Sequence, residues 1–403
     1  MLSDKLLTEY SYIVSSRFEA INSHYIKLMG EQIREIGLLS PSNLHRLEQM
    51  SKMGQNIDEI NKLLAAESNR TVADLHKIYT ASGISVYQNA SKYYVANGVK
   101  QVPFAENKVI QEYLKALDKR TRGTFENISR TSAIDKDYRE CVDVAIDAVA
   151  NGVADYNSFI KMQCGGLLDK GIMIEYASGV TRRLDSAIRM NVLEGVRQMN
   201  NAVRMQAGAE FGADGVEISA HALCAMDHID VQGQQYALGS RDVTIDGVTY
   251  ESFDKLNGML DRPISTMNCR HIIFPIVLGI SEPAYTDEEL DAYKQNSENK
   301  YDINLGLNRK GNPIVKSFSR YEATQLMRKL ETAMRYSKDS YISAEARGVQ
   351  AEMEEANLQL MELQDKYKKI YEATELEPRW ERAYVPGYNG SKQAIPKGIK
   401  LSL

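Results

Sequence analysis

His221, Cys224 and His228 fall within eight residues, and Cys269 and His271 follow after a gap of 41. These five are half of all the Cys and His side chains in a chain of 403 residues, and such a concentration invites chemistry. His221-x-x-Cys224 and Cys269-x-His271 each have a spacing that can aim two donors at one ion. With His228 beside them they could build a tetrahedral zinc site. The same residues could instead supply a nucleophile, with Cys269 or Cys224 as thiolate, His228 or His271 as base and Asp227 to orient it. That arrangement would belong to a metal- or cysteine-dependent hydrolase or nuclease, and Asp227 and Asp230 are the nearby acids that a metal-dependent nuclease would call on. A third reading needs no reaction at all: imidazoles and thiols bond to backbone groups in a small β element that is short of core. The residues by themselves leave all three open.

The elements around the cluster are expected to change character along the chain. From Met1 to about Leu168 helices follow one another, with apolar residues at three and four as in Ile57, Ile60, Leu63 and Leu64. Polar breaks are expected at Ser40-Pro41-Ser42-Asn43 and at Asn69-Arg70-Thr71. A helix opening after Ser178-Gly179 would bury Leu184, Ile188, Val192, Val196, Met199 and Val203, leaving Arg182, Arg183, Arg189, Arg197 and Arg204 as a basic stripe, solvated or facing an acidic partner. Between about 215 and 280 the period changes to two. Val243 and Ile245 face Val248 and Tyr250 across Asp246-Gly247, a pair suited to a turn with two positive φ values. "GVEIS" and "RHIIFPIVLG" are the other strands, and Pro275 restricts the second to an edge or a bulge.

Thr286 is placed to cap a helix with an acidic first turn, and residues 295 to 316 read as an extended loop. A long helical segment follows from Ser319, with Met353, Ala356, Leu360, Leu363, Tyr367, Ile370 and Thr374 at helical spacing. Gly348 should interrupt it. The basic arm before Gly348 and the acidic arm after it suit either an antiparallel helical pair or two solvated faces of one long helix. The expected organisation is α+β but predominantly helical: a helical region 1–168, a core 169–290 holding the His/Cys segments, a linker 291–318, a long helix or helical hairpin 319–375, and an extended tail 376–403.

Composition bounds the function. Hydrophobic residues at 43% and charged residues at 26% are ordinary for a globular chain. No apolar run approaches the length of a bilayer span, and the N-terminus has no secretory pattern, so no membrane partner and an intracellular origin are expected. A net charge of −5 lacks the basic footprint of a general nucleic-acid binder. "GGLLDKG" lacks the order of a phosphate-binding P-loop.

The segments "SAHALCAMDHIDVQGQQYALG" and "MNCRHIIFPIVLGISEPAYTDEEL" resemble the signature of the phage minor capsid protein 2 family, relatives of the Mu-like F head-morphogenesis proteins of tailed bacteriophages. The pattern maps onto His221, His228, Gln232, Gly233, Tyr236, Asn268, Cys269, Arg270, His271, Phe274 and Pro275. The helix "YEATQLMRKLETAMRYSKD" resembles a further family block at Gln325, Arg328, Glu331, Arg335 and Lys338, which the resemblance makes docking residues for a partner. This chain departs from the pattern with "ALCAMD" between the two histidines and Val231 before Gln232. The resemblance implies a structural, non-enzymatic protein of the phage head interior, in multiple copies around the portal vertex, assembled in the host cytoplasm. Portal protein and major capsid protein would be its partners, with contact to packaged DNA as a further expectation. It would aid head assembly, DNA packaging or ejection. It implies no firm cofactor; zinc at the cluster is the one metal that the donor types allow.

Overall fold

The computed structural model describes residues 4–41, 45–96, 98, 100–266, 269–307 and 310–396. The chain is predominantly α-helical with small antiparallel sheets, as the sequence predicts. It divides into two compact units. One is drawn mainly from Val72–Thr121 and Met190–Gln325, the other from Thr8–Thr71, Arg122–Arg189 and Leu326–Leu403. Asn268 of the signature lies outside the described residues.

Helices α1 (Asp4–Gly37), α2 (Arg46–Ala96), α3 (Lys108–Thr131), α4 (Ile134–Ala150) and α5 (Tyr156–Leu168) make up the N-terminal region. The break expected at Asn69-Arg70-Thr71 does not occur, because α2 runs straight through it. Thr71 is fully buried and its hydroxyl bonds to Glu67 one turn back, so tertiary burial overrides a weak local preference. The break near Pro41 does occur.

Strands β1 (Met173–Glu175) and β2 (Thr181–Arg183) form a short hairpin, and α6 (Leu184–Glu210) begins directly after it. All six apolar residues expected on one face of α6 are buried. The basic stripe is not one surface. Arg183 sits at the end of β2 and is 3% exposed, bonded to Glu19, Asp185 and Asp339. Arg204 is buried with its guanidinium over the ring of Phe274.

In the first unit, β3 (Gly215–Ile218) is the middle strand of a three-stranded antiparallel sheet between β4 (Gln235–Ala237) and β7 (Ile273–Ile276). Its residues are buried on both faces. Pro275 falls on edge strand β7, where a missing N–H breaks no ladder. It also fits against Gly208 of α6: a Cβ on that glycine would lie 2.2 Å from the Cβ of Pro275. β5 (Val243–Ile245) and β6 (Val248–Tyr250) pair in the expected register, with φ of 49° at Asp246 and 83° at Gly247. Helix α7 (Phe253–Met259) follows, and Phe253, Leu256 and Ile264 close a core over Val216, Ile218, Tyr236 and Ile273.

Thr286 caps α8 (Asp287–Glu298) in a reciprocal capping box with Glu289. The stretch expected as a loop is instead a twisted ribbon of β8 (Lys300–Leu307) and β9 (Pro313–Ser319). Its alternation, with Tyr301 opposite Phe318 and Ile303 opposite Lys316, is diluted by Asp, Asn, Gly and Lys, and composition therefore hid it.

In the second unit, α9 (Arg320–Arg347) and α10 (Gln350–Thr374) meet at Gly348, whose φ is +76°. Tyr367 of α10 donates to Glu331 of α9, so the two arms double back on one another. Of their opposite charges, Arg347 and Glu352 pair across the turn, while other charged residues bond elsewhere. Glu355 bonds Lys161 and Asp365 bonds Lys369, while Arg335 bonds Asp185.

Candidate functional site

The structure brings the five Cys and His side chains together at one end of the β4–β3–β7 sheet, where the loops 219–234 and 262–272 return. Ser219 continues the ladder beyond β3. Its N–H donates to the carbonyl of Ile272, and its Oγ accepts from the N–H of Ile272. Its carbonyl accepts from Nδ1 of His271 at 2.7 Å, which leaves Nε2 of that ring 3.3 Å from the Cys224 sulfur. On the other side, Nε2 of His228 donates to the carbonyl of Arg262 at 2.6 Å and Nδ1 faces the Cys269 sulfur at 3.9 Å. The rings of His228 and His271 lie 5.3 Å apart, and His221 stacks on His271 at 4.5 Å.

His228 and His271 are therefore each oriented by a backbone carbonyl and offer the second nitrogen to a thiol. The two pairs differ electrically. Burial pushes the Cys224 thiol up to about 12 and holds His271 below its ordinary value, so that pair is neutral. Burial also opposes charge on Cys269 and His228. There burial is outweighed by several smaller effects together: their mutual hydrogen bond, joined on Cys269 by the backbone of Ser265 and His271 and on His228 by the Arg262 carbonyl and Asp227, so that Cys269 is lowered and His228 raised. This second pair leans toward thiolate and imidazolium. His221 is pushed down to about 4 by burial and by the neighbouring His271, Arg270 and His228, and its Nε2 is buried without a hydrogen-bond partner.

The remaining signature residues brace this arrangement. Gln232, 2% exposed, accepts the backbone N–H of His221. Gly233 has φ of +73° and lets Leu290 of α8 approach to where a Cβ would be 2.3 Å from it. Tyr236 is buried beside Phe253. Asp227 holds Arg262 through two of its nitrogens, and this interaction keeps its carboxyl low. Arg270 is exposed.

The zinc expectation meets a definite geometry. The donors associate as two thiol–imidazole pairs, and among the described residues no group of three or more His, Cys, Asp or Glu side chains is disposed to hold a metal ion. The docking residues on α9 are also placed otherwise than expected. Glu331, Arg335 and Lys338 are each 3% exposed and bond within the second unit. Glu331 accepts from Tyr367, Arg335 binds Asp185 and the carbonyl of Arg382, and Lys338 donates to the Ala383 carbonyl and Gln393. Their spacing marks the buried side of α9. Gln325 and Arg328 are half-buried.

Sequence reasoning passed over Ser219 and Arg262, which act through backbone carbonyls that carry no side-chain signal. It also passed over Glu19 and Asp339, which meet Arg183 from 164 and 156 residues away. Burial pushes Glu19 up to about 8 and Asp339 to about 6, each against the pull of Arg183.

The fold is predominantly helical α+β, and in the first unit the signature side chains turn on one another at one end of a small sheet. Comparison with family models gives the particular family: the chain belongs to the phage minor capsid protein 2 family, whose model matches residues 2–371. Neither the curated proteins nor the solved structures compared with it give a match. It is thus a phage capsid protein of structural kind.

Proposed function

We propose that the protein is built into the interior of the phage head in a few copies around the portal vertex. There it contacts portal and major capsid proteins and aids head assembly, DNA packaging or ejection, having been assembled in the host cytoplasm. The observation that supports this most is that the family's signature residues serve attachment within the protein. His228, His271, Gln232 and Gly233 bind backbone or admit a neighbouring helix, and so fasten the sheet to its own loops. A net charge of −5 suits a protein that must not adhere along packaged DNA, so contact with DNA would be local.

Protein quantification of purified virions, with a reconstruction of the portal vertex, tests the reading. A copy number in fixed ratio to portal protein is expected. Recovery as a lattice-forming subunit, or in particles without a portal, would overturn it. A second reading, a cysteine-dependent hydrolase, draws on the polarised Cys269–His228 pair. It would require an esterase or nuclease activity that disappears in His228→Ala.

A further inference from the structure

The second unit contains a cavity of about 410 Å³ walled by α9, α10, the turn 380–383 and the tail. Lys338 lies in its wall, Lys368 and Lys392 line it as well, and Trp380 and Gln393 complete one side. Lys338 is an unusual lysine. It is 3% exposed, and its partners are all neutral: the Ala383 carbonyl, Oε1 of Gln393 and the ring of Tyr388 at 5.4 Å. No carboxylate among the described residues is within ion-pair distance of it. The nearest acids that act on it, Asp339 and Glu19, are both engaged by Arg183. Burial and the positive charge of Arg335 lower its pKa to about 8, so at neutral pH a mostly protonated ammonium stands in this wall without a counter-ion. An uncompensated buried cation is costly, and a ligand anion would remove that cost.

The other charges in the wall favour the same sign of ligand. Asp365 is the one acid lining the cavity among the described residues, and its carboxylate is already bonded to Lys369 at 2.6 Å. Lys392 makes no ion pair among the described residues, and Lys368 has only a distant contact to Glu372 at 3.7 Å. Three ammoniums against one neutralised carboxylate match a doubly charged ligand better than a singly charged one. Among the described residues no arginine lines the cavity, so the planar fork that suits carboxylates is not found there, whereas lysine serves as a point charge for phosphate. The volume falls in the range of small-molecule sites and exceeds what phosphate alone needs. Trp380, half-buried against Tyr367 at 4.7 Å, adds an apolar surface for the rest of the ligand.

We propose that this cavity binds a phosphate monoester, with Lys338 supplying the buried charge, Lys368 and Lys392 closing over the phosphate oxygens, and Trp380 against the group that carries the phosphate. Trp380 is the only tryptophan in the chain, so its fluorescence reports on the site directly. Titrating the full-length protein at constant ionic strength with inorganic phosphate, phenyl phosphate, acetate and chloride tests the assignment. Saturable changes with the two phosphates are expected, phenyl phosphate binding the tighter, and none with acetate or chloride. Lys338→Met should weaken phenyl phosphate by at least about tenfold. Should that variant fold poorly, Lys392→Gln at the exposed rim serves in its place and should weaken binding several-fold with unchanged circular dichroism. An emission indifferent to phosphate, an equal response to acetate, or wild-type binding by folded variants would overturn the site. Phenyl phosphate binding no tighter than inorganic phosphate would overturn the ester and the role of Trp380.

Discussion

His221 and the Cys224–His271 pair illustrate what burial does to ionisable groups that have lost water without gaining a charged partner. Unfolded, His221 takes up a proton near pH 6.5, whereas in the fold it does so only near 4. Between those values the unfolded chain binds more protons, so acid favours unfolding; the group costs nothing above pH 6.5 and its destabilising effect is complete below pH 4. The melting temperature should therefore fall as pH is lowered through that window. His221→Phe, which keeps the stacked ring, should flatten the slope there relative to wild type. The Cys269–His228 pair carries the opposite sign on its histidine, and the two thiols should respond differently to any cation. Because the donors meet in pairs, elemental analysis of the purified protein should find less than one zinc per chain. One zinc per chain that is lost in His228→Ala would mean that thiols and imidazoles share an ion.

At the scale of elements, the most consequential junction in the second unit is the one Arg183 makes at the end of β2. Its guanidinium gathers Glu19 from α1, Asp339 from α9 and Asp185 from the first turn of α6, all of them buried. Replacing it leaves three carboxylates facing one another, offset by Arg335 and, at Asp185, by Arg189. Arg183→Met should destabilise the protein by about 3–5 kcal/mol, measured by urea unfolding. A cost below about 1 kcal/mol would mean that protonation of Glu19 and Asp339 compensates almost fully. The same junction explains why the sequence leaves an arginine stripe open to both readings, a solvated face or one that meets acidic groups. An arginine on a surface face and one at the centre of a carboxylate cluster have the same local sequence, and only the far strands and helices distinguish them.

For the whole molecule, charge argues against adhesion to DNA. With 54 acidic residues against 49 basic ones the balance is negative, and Arg183, Arg204 and Arg335 of the expected basic stripes are buried, so neither stripe presents all its cations to phosphate. Binding of the purified protein to duplex DNA should be weak at physiological salt, and its logarithmic salt dependence should have a slope of magnitude below about 3. A slope near −10 would assign it a nucleic-acid surface.

Much of this fold can be read along the chain. The α6 stripe, the Asp246-Gly247 hairpin, the Thr286 cap, the Gly348 break and the proximity of the two His/Cys segments depend on periodicity, turn conformation and residue type, which are local. Tertiary structure alone decided the rest. It carried α2 through Asn69-Arg70-Thr71, paired β8 with β9 despite their polar composition, turned Glu331, Arg335 and Lys338 inward, and arranged four of the five donors as two couples. Those outcomes rest on burial and on partners as far apart in sequence as Arg335 and Ser186, 149 residues. A desolvated charge or an unpaired backbone carbonyl acquires its energy only from what the completed fold places beside it.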